Sequence, residues 1–150
     1  MASRIFTSNN GRFRLDLPLN WDEYDLQGEE GSYGFFNSQS SHWTGNLRVT
    51  PLILSPALDD HNRKIEKFID DELAKHDGAI KIKMGDADCV FYKEEKKFEH
   101  EPQLLYYWIT GKQNFLFVCS FTIDKRRGST KENQLELAAV EDIIKSIRIA

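Results

Sequence analysis

The stretch FRLDLPLNW, residues 13–21, predicts where the fold begins and how its first strand ends. Its apolar residues alternate with polar ones, which is the period-two pattern of a strand with one buried and one solvated face. The alternating apolar residues are Phe13, Leu15 and Leu17. Pro18 cannot donate a backbone hydrogen bond to a neighbouring strand, so we expect the strand to end there. We expect Trp21 to pack against the edge of the sheet as a structural residue.

Further strands are predicted on both sides of a central helical segment. Residues 22–38 predict two short strands around a glycine-rich turn, and residues 45–54 predict a longer strand. Because Pro51 lies inside that longer strand, we expect an edge position, a bulge or a break there. Three more strands follow in residues 87–124, with a hairpin turn at Gly111 to Gln113. The last of them is apolar on both faces, which is typical of a strand inside a sheet.

Two amphipathic helices are predicted by a change of period. Residues 60–76 place apolar side chains on one helical stripe, and residues 129–147 do so again. The first stripe is Ile65, Phe68, Ile69 and Leu73, with Asp59 or Asp60 as the cap and Gly78 at the end. The second is Leu135, Ala139, Ile143 and Ile147, widened by Val140 and Ile144, after a capping box formed by Ser129 and Glu132. Short connections between the strands favour an antiparallel sheet, so the fold class is α+β.

Length and charge exclude several classes of protein. A chain of 150 residues predicts a single domain over residues 1–150. The net charge of −4 argues against a nucleic-acid partner, and we expect the basic run Lys125 to Arg127 to be a solvated loop. No apolar run approaches the ~18 residues of a membrane span. The first residues show no secretory signal, so we expect a cytoplasmic protein.

Motifs that would indicate catalysis or metal binding are absent from the sequence. Cys89 and Cys119 form no C-x-x-C pair, and their apolar flanks predict buried, reduced thiols. The histidines lack the spacing of a metal-binding helix, and DDHN at residues 59–62 is more typical of a helix start than of a metal site. There is no G-x-S-x-G elbow. We therefore expect no catalytic residue, no metal and no cofactor.

Aromatic residues on polar backgrounds are the best candidates for a binding site. His42 and Trp43 lie in a connection rich in serine, glycine and asparagine, where a tryptophan either packs at the rim of the core or is presented to a partner. Tyr106 and Trp108 share one face of a strand, and Tyr107 lies on the other. Either helices cover these aromatics or one set forms an exposed platform. The candidate partner-binding residues are His42, Trp43, Tyr106 and Trp108.

Three stretches resemble the PsbP-like (Mog/PsbP-type) superfamily. They are GRFRLDLPLNW at residues 11–21, IKIKMGDADCVFYKEE at residues 80–95 and VEDIIKSIRIA at residues 140–150. In that superfamily a first strand ends at a proline followed by a tryptophan, a glycine turn joins two middle strands, and a helix closes the chain. The resemblance implies an α/β/α sandwich around a mainly antiparallel sheet, in a bacterial family with that fold.

The resemblance also implies a function. Relatives in the superfamily bind other proteins rather than catalyse reactions, and some bacterial immunity proteins look similar. We therefore expect a non-catalytic protein-binding module with an immunity or adaptor role. The alternative is a small-ligand or lipid-binding domain with an aromatic pocket beside the last three strands. An enzyme of another type is the third hypothesis.

Overall fold

The alternating stretch at Phe13 forms a strand of a small sheet, and Trp21 begins a strand of a larger one. The computed structural model describes residues 2–26, 31–54 and 61–149, with only the backbone at residues 61–63. In chain order the strands are β1 (Ser3–Thr7), β2 (Phe13–Pro18), β3 (Trp21–Tyr24), β4 (Tyr33–Asn37), β5 (Asn46–Ile53), β6 (Ile80–Met84), β7 (Ala87–Phe98), β8 (Glu101–Lys112), β9 (Phe115–Asp124) and β10 (Arg148–Ile149). The helices are α1 (His61–Lys75) and α2 (Lys131–Lys145), and Lys125–Arg127 forms a 3₁₀ turn.

All the strand pairs are antiparallel. The small sheet has the order β1-β2-β10, and the large sheet has the order β3-β4-β5-β9-β8-β7-β6. The main core lies between the inner face of the large sheet, the small sheet and α2. Helix α1 packs on the outer face of the large sheet. The predicted α+β class, an α/β/α sandwich around an antiparallel sheet, is confirmed.

The strand predicted at Phe13 is confirmed, but it is the second strand of the chain and not the first, because β1 precedes it and pairs with it. Phe13, Leu15 and Leu17 are fully buried, and β2 ends at Pro18. Trp21 is 1% exposed and packs against Phe121 in the core. Its strand β3 is an edge of the large sheet. The structural role predicted for this tryptophan therefore matches its position.

Helix α1 carries its predicted apolar stripe toward the sheet. Ile69 is buried, with Ile65, Phe68 and Leu73 packed around it. Gly111 of β8 allows this close approach, because a Cβ there would lie 2.6 Å from Ile65. The predicted caps Asp59 and Asp60 lie outside the described residues. The glycine turn predicted at residues 111–113 is shifted, since β8 continues to Lys112.

Helix α2 differs from the prediction in its cap and in its buried stripe. The N-cap is Thr130, whose hydroxyl accepts a hydrogen bond from the backbone N–H of Asn133 at 3.1 Å. Ser129 is therefore not the cap. Leu135 is 65% exposed, because the helix is rotated so that other positions face the core. The buried α2 residues are Asn133, Glu136, Val140, Ile143 and Ile144.

Strands β9 and β5, which have unusual compositions, lie at the positions in the sheet that their sequences indicated. Strand β9 is the fourth of seven in the large sheet, which explains its apolar residues on both faces. Strand β5 stays in register with β9 through Pro51. However, the last β4–β5 pair is Tyr33 with Val49, so Pro51 has β9 alone as a paired strand. An edge position is thus what accommodates the proline.

Candidate functional site

Within the described residues, helix α1 covers only part of the outer face of the large sheet, and the part left uncovered forms a groove of about 670 Å³. We call it the sheet groove. Its floor consists of polar side chains from β5, β8 and β9, namely Asn46, Arg48, Thr50, Gln103, Ser120 and Thr122. Its walls are mostly apolar and aromatic, namely Tyr24, Leu26, Trp43, Lys96, Phe98, Leu105, Tyr107 and Val118.

Strand β9 shows why the groove lies where it does. Its outer face begins with Leu116, which is buried, and Val118, which packs against the α1 cluster. The next outer positions are Ser120 and Thr122, which pair with Arg48 and Asn46 of β5. The outer face thus changes from apolar to polar where the helix cover ends. Polar side chains on the outer face of a central strand indicate that this half of the face contacts water or a partner.

Tyr24 forms the wall on the β3 side. Its ring lies over Gly34, where a Cβ would come within 2.4 Å of the ring, so a larger residue there would displace the tyrosine. Burial raises the pKa of Tyr24, and the positive charge of Arg48 works in the opposite direction. The hydroxyl therefore stays protonated at neutral pH and can act as a hydrogen-bond donor.

Trp43 and Phe98 are the most exposed aromatic residues of the groove. Trp43 is 41% exposed, and its indole Nε1 donates to Asn46 Oδ1 at 2.9 Å. Phe98, at the far end of β7, is 64% exposed. The hydrogen bond to the floor fixes the orientation of the indole while leaving much of the ring accessible. Trp43 is thus partly exposed, and its presentation to a partner stays a prediction.

His42 lies outside the groove and anchors the Trp43 loop to α2. Its Nε2 lies 2.7 Å from Glu132 Oε1, and an Arg127 guanidinium nitrogen lies 2.7 Å from the same oxygen. The hydrogen bond from His42 and the charges of both partners lower the pKa of Glu132. His42 can therefore position the loop, but it does not line the binding surface with Trp43.

The predicted platform of Tyr106 and Trp108 is wrong. Both rings are buried in the main core, where Tyr106 stacks on Phe91 and Trp108 packs against the same ring at a tilt. The hydroxyl of Tyr106 accepts a hydrogen bond from Asn133 of that helix at 3.0 Å. The alternation along β8 was correct, but the face that is only partly covered is the one that carries Tyr107. Of the four predicted residues, the structure places only Trp43 in the groove.

The charged side chains of the groove have one sign. Among the described residues, its lining contains Arg48 and Lys96 and no carboxylate. Arg48 is half-buried on the floor, and Lys96 is exposed on the wall, with Glu94 Oε2 3.6 Å from its Nζ. Sequence analysis missed this basic character because the two residues lie on different strands. The sequence feature that could have indicated a solvated groove is the pair of polar residues on the outer face of β9.

A second concavity of about 510 Å³ lies between α2 and the β3–β4 hairpin. Leu135 and Ala139 line it beside Glu132 and Glu136. The buried carboxylate of Glu136 accepts a hydrogen bond from Asn37 Nδ2 at 2.7 Å. Since this carboxylate already has a partner within the fold, its role in the concavity is structural.

Neither thiol has the properties of a nucleophile. Cys89 and Cys119 are free and buried, and strand β8 lies between their strands. Burial raises the pKa of the Cys89 thiol to about 12 and also raises that of Cys119. A catalytic cysteine requires the opposite shift, toward the thiolate.

Two structural findings concern metal binding and membrane insertion. In the part of the chain that the structure describes, three or more metal-ligating side chains nowhere come together in a cluster. The DDHN stretch lies outside that part or has only its backbone described. Within the same residues, neither helix has the length and apolar character needed to cross a bilayer.

Several solved structures are similar to this chain. A crystal structure from Bacteroides thetaiotaomicron VPI-5482 is 31% identical with a TM-score of 0.75, and the match covers 100% of this chain and 49% of that one. This chain thus spans about half the length of that relative. A point mutant of the protein Mog1 is 10% identical with a TM-score of 0.57, covering 99% and 96% of the two chains.

LpqN, described as involved in cell envelope biogenesis of Mycobacterium tuberculosis, is also 10% identical with a TM-score of 0.57, covering 99% and 91%. Mog1 and LpqN share the PsbP-like fold, so the predicted resemblance is confirmed at the level of fold. No match was found among curated protein sequences. The family model for a domain of unknown function, DUF3805, matches residues 1–150, and the chain belongs to that family.

Proposed function

We propose that the protein is a non-catalytic binding module that holds a segment of another protein in the sheet groove. The observation that carries this proposal is the uncovered half of the outer sheet face, with its polar floor and aromatic walls. A large sheet in this class normally has its apolar faces covered by other layers. In the half that no described helix covers, the outer residues of β9 are polar, and exposed aromatic residues lie around them.

The dimensions of the groove fit a polypeptide. The groove extends from Tyr24 on β3 to Lys96 on β7, which are separated by four other strands. At ~4.8 Å between neighbouring strands, this span is about 24 Å. Exposed aromatic residues such as Trp43 and Phe98 are enriched in protein interfaces, where they supply contact area with little loss of side-chain entropy.

The chemistry of the lining supports binding rather than catalysis. The titratable side chains that line the groove within the described residues are Tyr24, Tyr107, Arg48 and Lys96. General acid–base catalysis near neutral pH works best with a group whose pKa lies near 7. Burial moves the pKa of Tyr24 further from neutrality. The resemblance to the PsbP-like superfamily adds support for an adaptor or immunity role.

A site-specific photo-cross-linker tests the proposal directly. Phe98 and Leu135 are 64% and 65% exposed, but Leu135 lies on α2 and outside the groove. Benzoylphenylalanine at position 98 should capture a protein partner in the native cell, and the same residue at position 135 should not. Capture at position 135 alone would contradict the groove as the binding site, as would a position-98 variant that captures no protein.

A small ligand or lipid is the second candidate, favoured by one observation. The volume of about 670 Å³ lies within the range of roughly 300–1,000 Å³ for small-molecule pockets, and four aromatic residues line it. Native mass spectrometry of the protein purified from its own cells distinguishes the two. A bound molecule below ~1 kDa that is lost in the Ser120→Trp variant would favour the ligand hypothesis.

A further inference from the structure

We propose that the partner segment is a proline-rich peptide in the polyproline II conformation. This inference rests on the function proposed above and specifies the chemistry of the partner. It follows from three features of the sheet groove: its position on a face of the sheet, the uncharged hydrogen-bond donors that line it, and the aromatic rings beside them.

The position of the groove decides how a peptide can bind there. Its floor belongs to β5, β9 and β8, and the backbone of β9 is paired on both sides over residues 115–122. A partner that adds a strand needs an unpaired edge, so it cannot bind on this floor. An amphipathic helix needs an apolar groove for its apolar stripe, whereas this floor is polar. The mode that remains is an extended segment recognised by side chains.

The lining is rich in uncharged groups that can donate hydrogen bonds. They are the side chains of Tyr24, Gln103, Tyr107, Ser120 and Thr122. Within the described residues, these five side chains make no hydrogen bond to the rest of the protein. Arg48 and Lys96 already interact with other groups of the protein, so they are not counted among the available donors. Such a lining complements a ligand that is rich in hydrogen-bond acceptors.

A proline-rich segment has an excess of acceptors. Proline has a backbone carbonyl but no N–H, and the polyproline II helix forms no internal hydrogen bonds, so its carbonyls remain available. An ordinary extended segment brings one N–H for each carbonyl, and the described lining holds no carboxylate to accept it. Burial raises the pKa of Tyr24, so its hydroxyl remains a donor at neutral pH.

The aromatic side chains and the width of the groove fit the same conformation. Aromatic rings that line a groove pack against proline rings, and the stiffness of polyproline II reduces the entropy lost on binding. From Tyr24 on β3 to Phe98 on β7 the groove crosses about 24 Å, at ~4.8 Å between neighbouring strands. Polyproline II advances ~3.1 Å per residue with about three residues per turn, so about eight residues span the groove. Prolines at positions i and i+3 then face the same side.

A random twelve-residue peptide library displayed on phage tests this chemistry. Clones are selected on the native protein and retained when they lose binding to both Ser120→Trp, which fills the floor, and Phe98→Ala, which removes part of the wall. Thermal melting of both variants shows that they are folded. We expect the retained peptides to be enriched in proline, with prolines spaced by three residues.

The outcomes separate this inference from the proposed function. Retained peptides without enrichment of proline would overturn the polyproline II chemistry and leave the groove as a binding site. Failure to retain any groove-dependent peptide would overturn this inference, and the proposed function would then depend on capture at position 98 alone. An affinity that falls steeply between about 50 and 500 mM salt would also overturn the inference, because salt screens ion pairs rather than hydrogen bonds between uncharged groups.

Variants that remove single donors give a second readout without filling the groove. Tyr24→Phe and Ser120→Ala should each weaken a selected peptide about threefold to tenfold, the range for one hydrogen bond. Tyr33→Phe is the matched control, because Tyr33 packs against the main core and does not line the groove. Equal losses of affinity in Tyr24→Phe and Tyr33→Phe would contradict the assignment.

The peptide itself supplies the last comparison. Replacing two spaced prolines with alanine restores two N–H groups and removes the stiffness of the segment. Binding should weaken more than when two other residues of the same peptide are replaced with alanine. Equal effects would show that the prolines are not what the groove recognises.

Discussion

At the scale of single residues, the three tryptophans differ in exposure and therefore in role. Trp21 and Trp108 are each 1% exposed, whereas Trp43 is 41% exposed. The sequence around them distinguishes only part of this. The alternating strand before Trp21 predicts burial, but the polar loop around Trp43 is compatible with either state.

Trp43→Ala should separate binding from stability. We expect affinity for the partner captured through position 98 to fall by at least ~2 kcal/mol, the usual threshold of an interface hot spot, because the exposed ring supplies contact area. The free energy of unfolding should change by less than ~1 kcal/mol, since the ring makes few core contacts. Calorimetry and urea denaturation measure the two. A large loss of stability with unchanged affinity would make Trp43 a rim residue of the core.

The two thiols should react slowly in the native protein. Burial raises the pKa of Cys89 to about 12 and also raises that of Cys119, so the thiolate fraction at pH 8 is small and the sulfur atoms are inaccessible. Mass spectrometry after iodoacetamide treatment should show labelling in urea but little in buffer. Native labelling as fast as in urea would contradict the burial of both residues.

The aromatic residues of β8 show what alternation can and cannot predict. Tyr106, Tyr107 and Trp108 were correctly divided between two faces by the period of a strand. Which face a helix covers depends on where α1 and α2 pack, and those are long-range contacts. The sequence of β8 alone does not specify these long-range contacts. The same limit explains why the sequence did not identify Arg48 and Lys96 as residues of one groove.

At the scale of elements, the β7–β8 hairpin has an unusual turn. Glu99 and His100 occupy its two central positions with φ of 50° and 71°. Two-residue hairpin turns favour asparagine and glycine there, since other residues pay a steric cost for positive φ. The length of β7 and β8 offsets this cost.

His100→Gly should stabilise the protein. Glycine removes a steric cost of ~1–2 kcal/mol, and part of this is offset by its greater entropy in the unfolded chain. We expect a net gain of about 0.5–1 kcal/mol in the free energy of unfolding, measured by urea denaturation. Lys97→Gly, in the extended part of the same hairpin, is the control and should destabilise. A loss of stability in both variants would show that the turn is not strained.

The 3₁₀ turn after β9 should contribute stability that depends on pH. Hydrogen bonds from the side chain and backbone N–H of Arg126 lower the pKa of Asp124 from 3.8 to about 2. Because the pKa is lower in the folded state, this contribution is present above pH ~4 and is lost as the pH falls toward 2. The difference in melting midpoint between the native protein and Asp124→Asn should be constant above pH 5 and shrink below 4. Arg126→Gln should reduce this pH dependence, and an unchanged profile would contradict the role of the hydrogen bonds.

Elements with strong periodicity were predicted, and elements without it were not. Helix α1 has 15 residues and strand β9 has ten, so in both of them the local pattern is long enough to predict the element. Strands β1 and β10 have five and two residues, and they form only by pairing with β2. The α2 stripe was displaced because Leu135 is apolar and exposed, while Asn133 and Glu136 are polar and buried. Hydrogen bonds to Tyr106 and Asn37 make that burial possible.

At the scale of the whole molecule, the stretch from Phe13 to Trp21 joins the two sheets. Strand β2 is the middle strand of the small sheet, and β3 is the edge of the large one. The main core lies between these sheets, so side chains on both sides of Pro18 contribute to it. The proline ends one strand and lets the chain cross to the other sheet within three residues.

Trp21→Ala should therefore destabilise the whole fold and leave the chemistry of the groove unchanged. The indole is fully buried against Phe121, in the core that the two sheets share. Removing a buried aromatic of this size costs ~3–5 kcal/mol, a large share of the ~5–15 kcal/mol that stabilises a typical domain. The melting midpoint should fall sharply, whereas the fraction that remains folded at 10 °C should bind the partner captured through position 98 with native affinity. Trp43→Ala is the matched comparison and should show the reverse pattern. If Trp21→Ala melts like the native protein, the tryptophan does not hold the two sheets together. If both variants lose affinity to the same degree, the groove is not separable from the core, and Trp43 then cannot be assigned to binding by exposure alone.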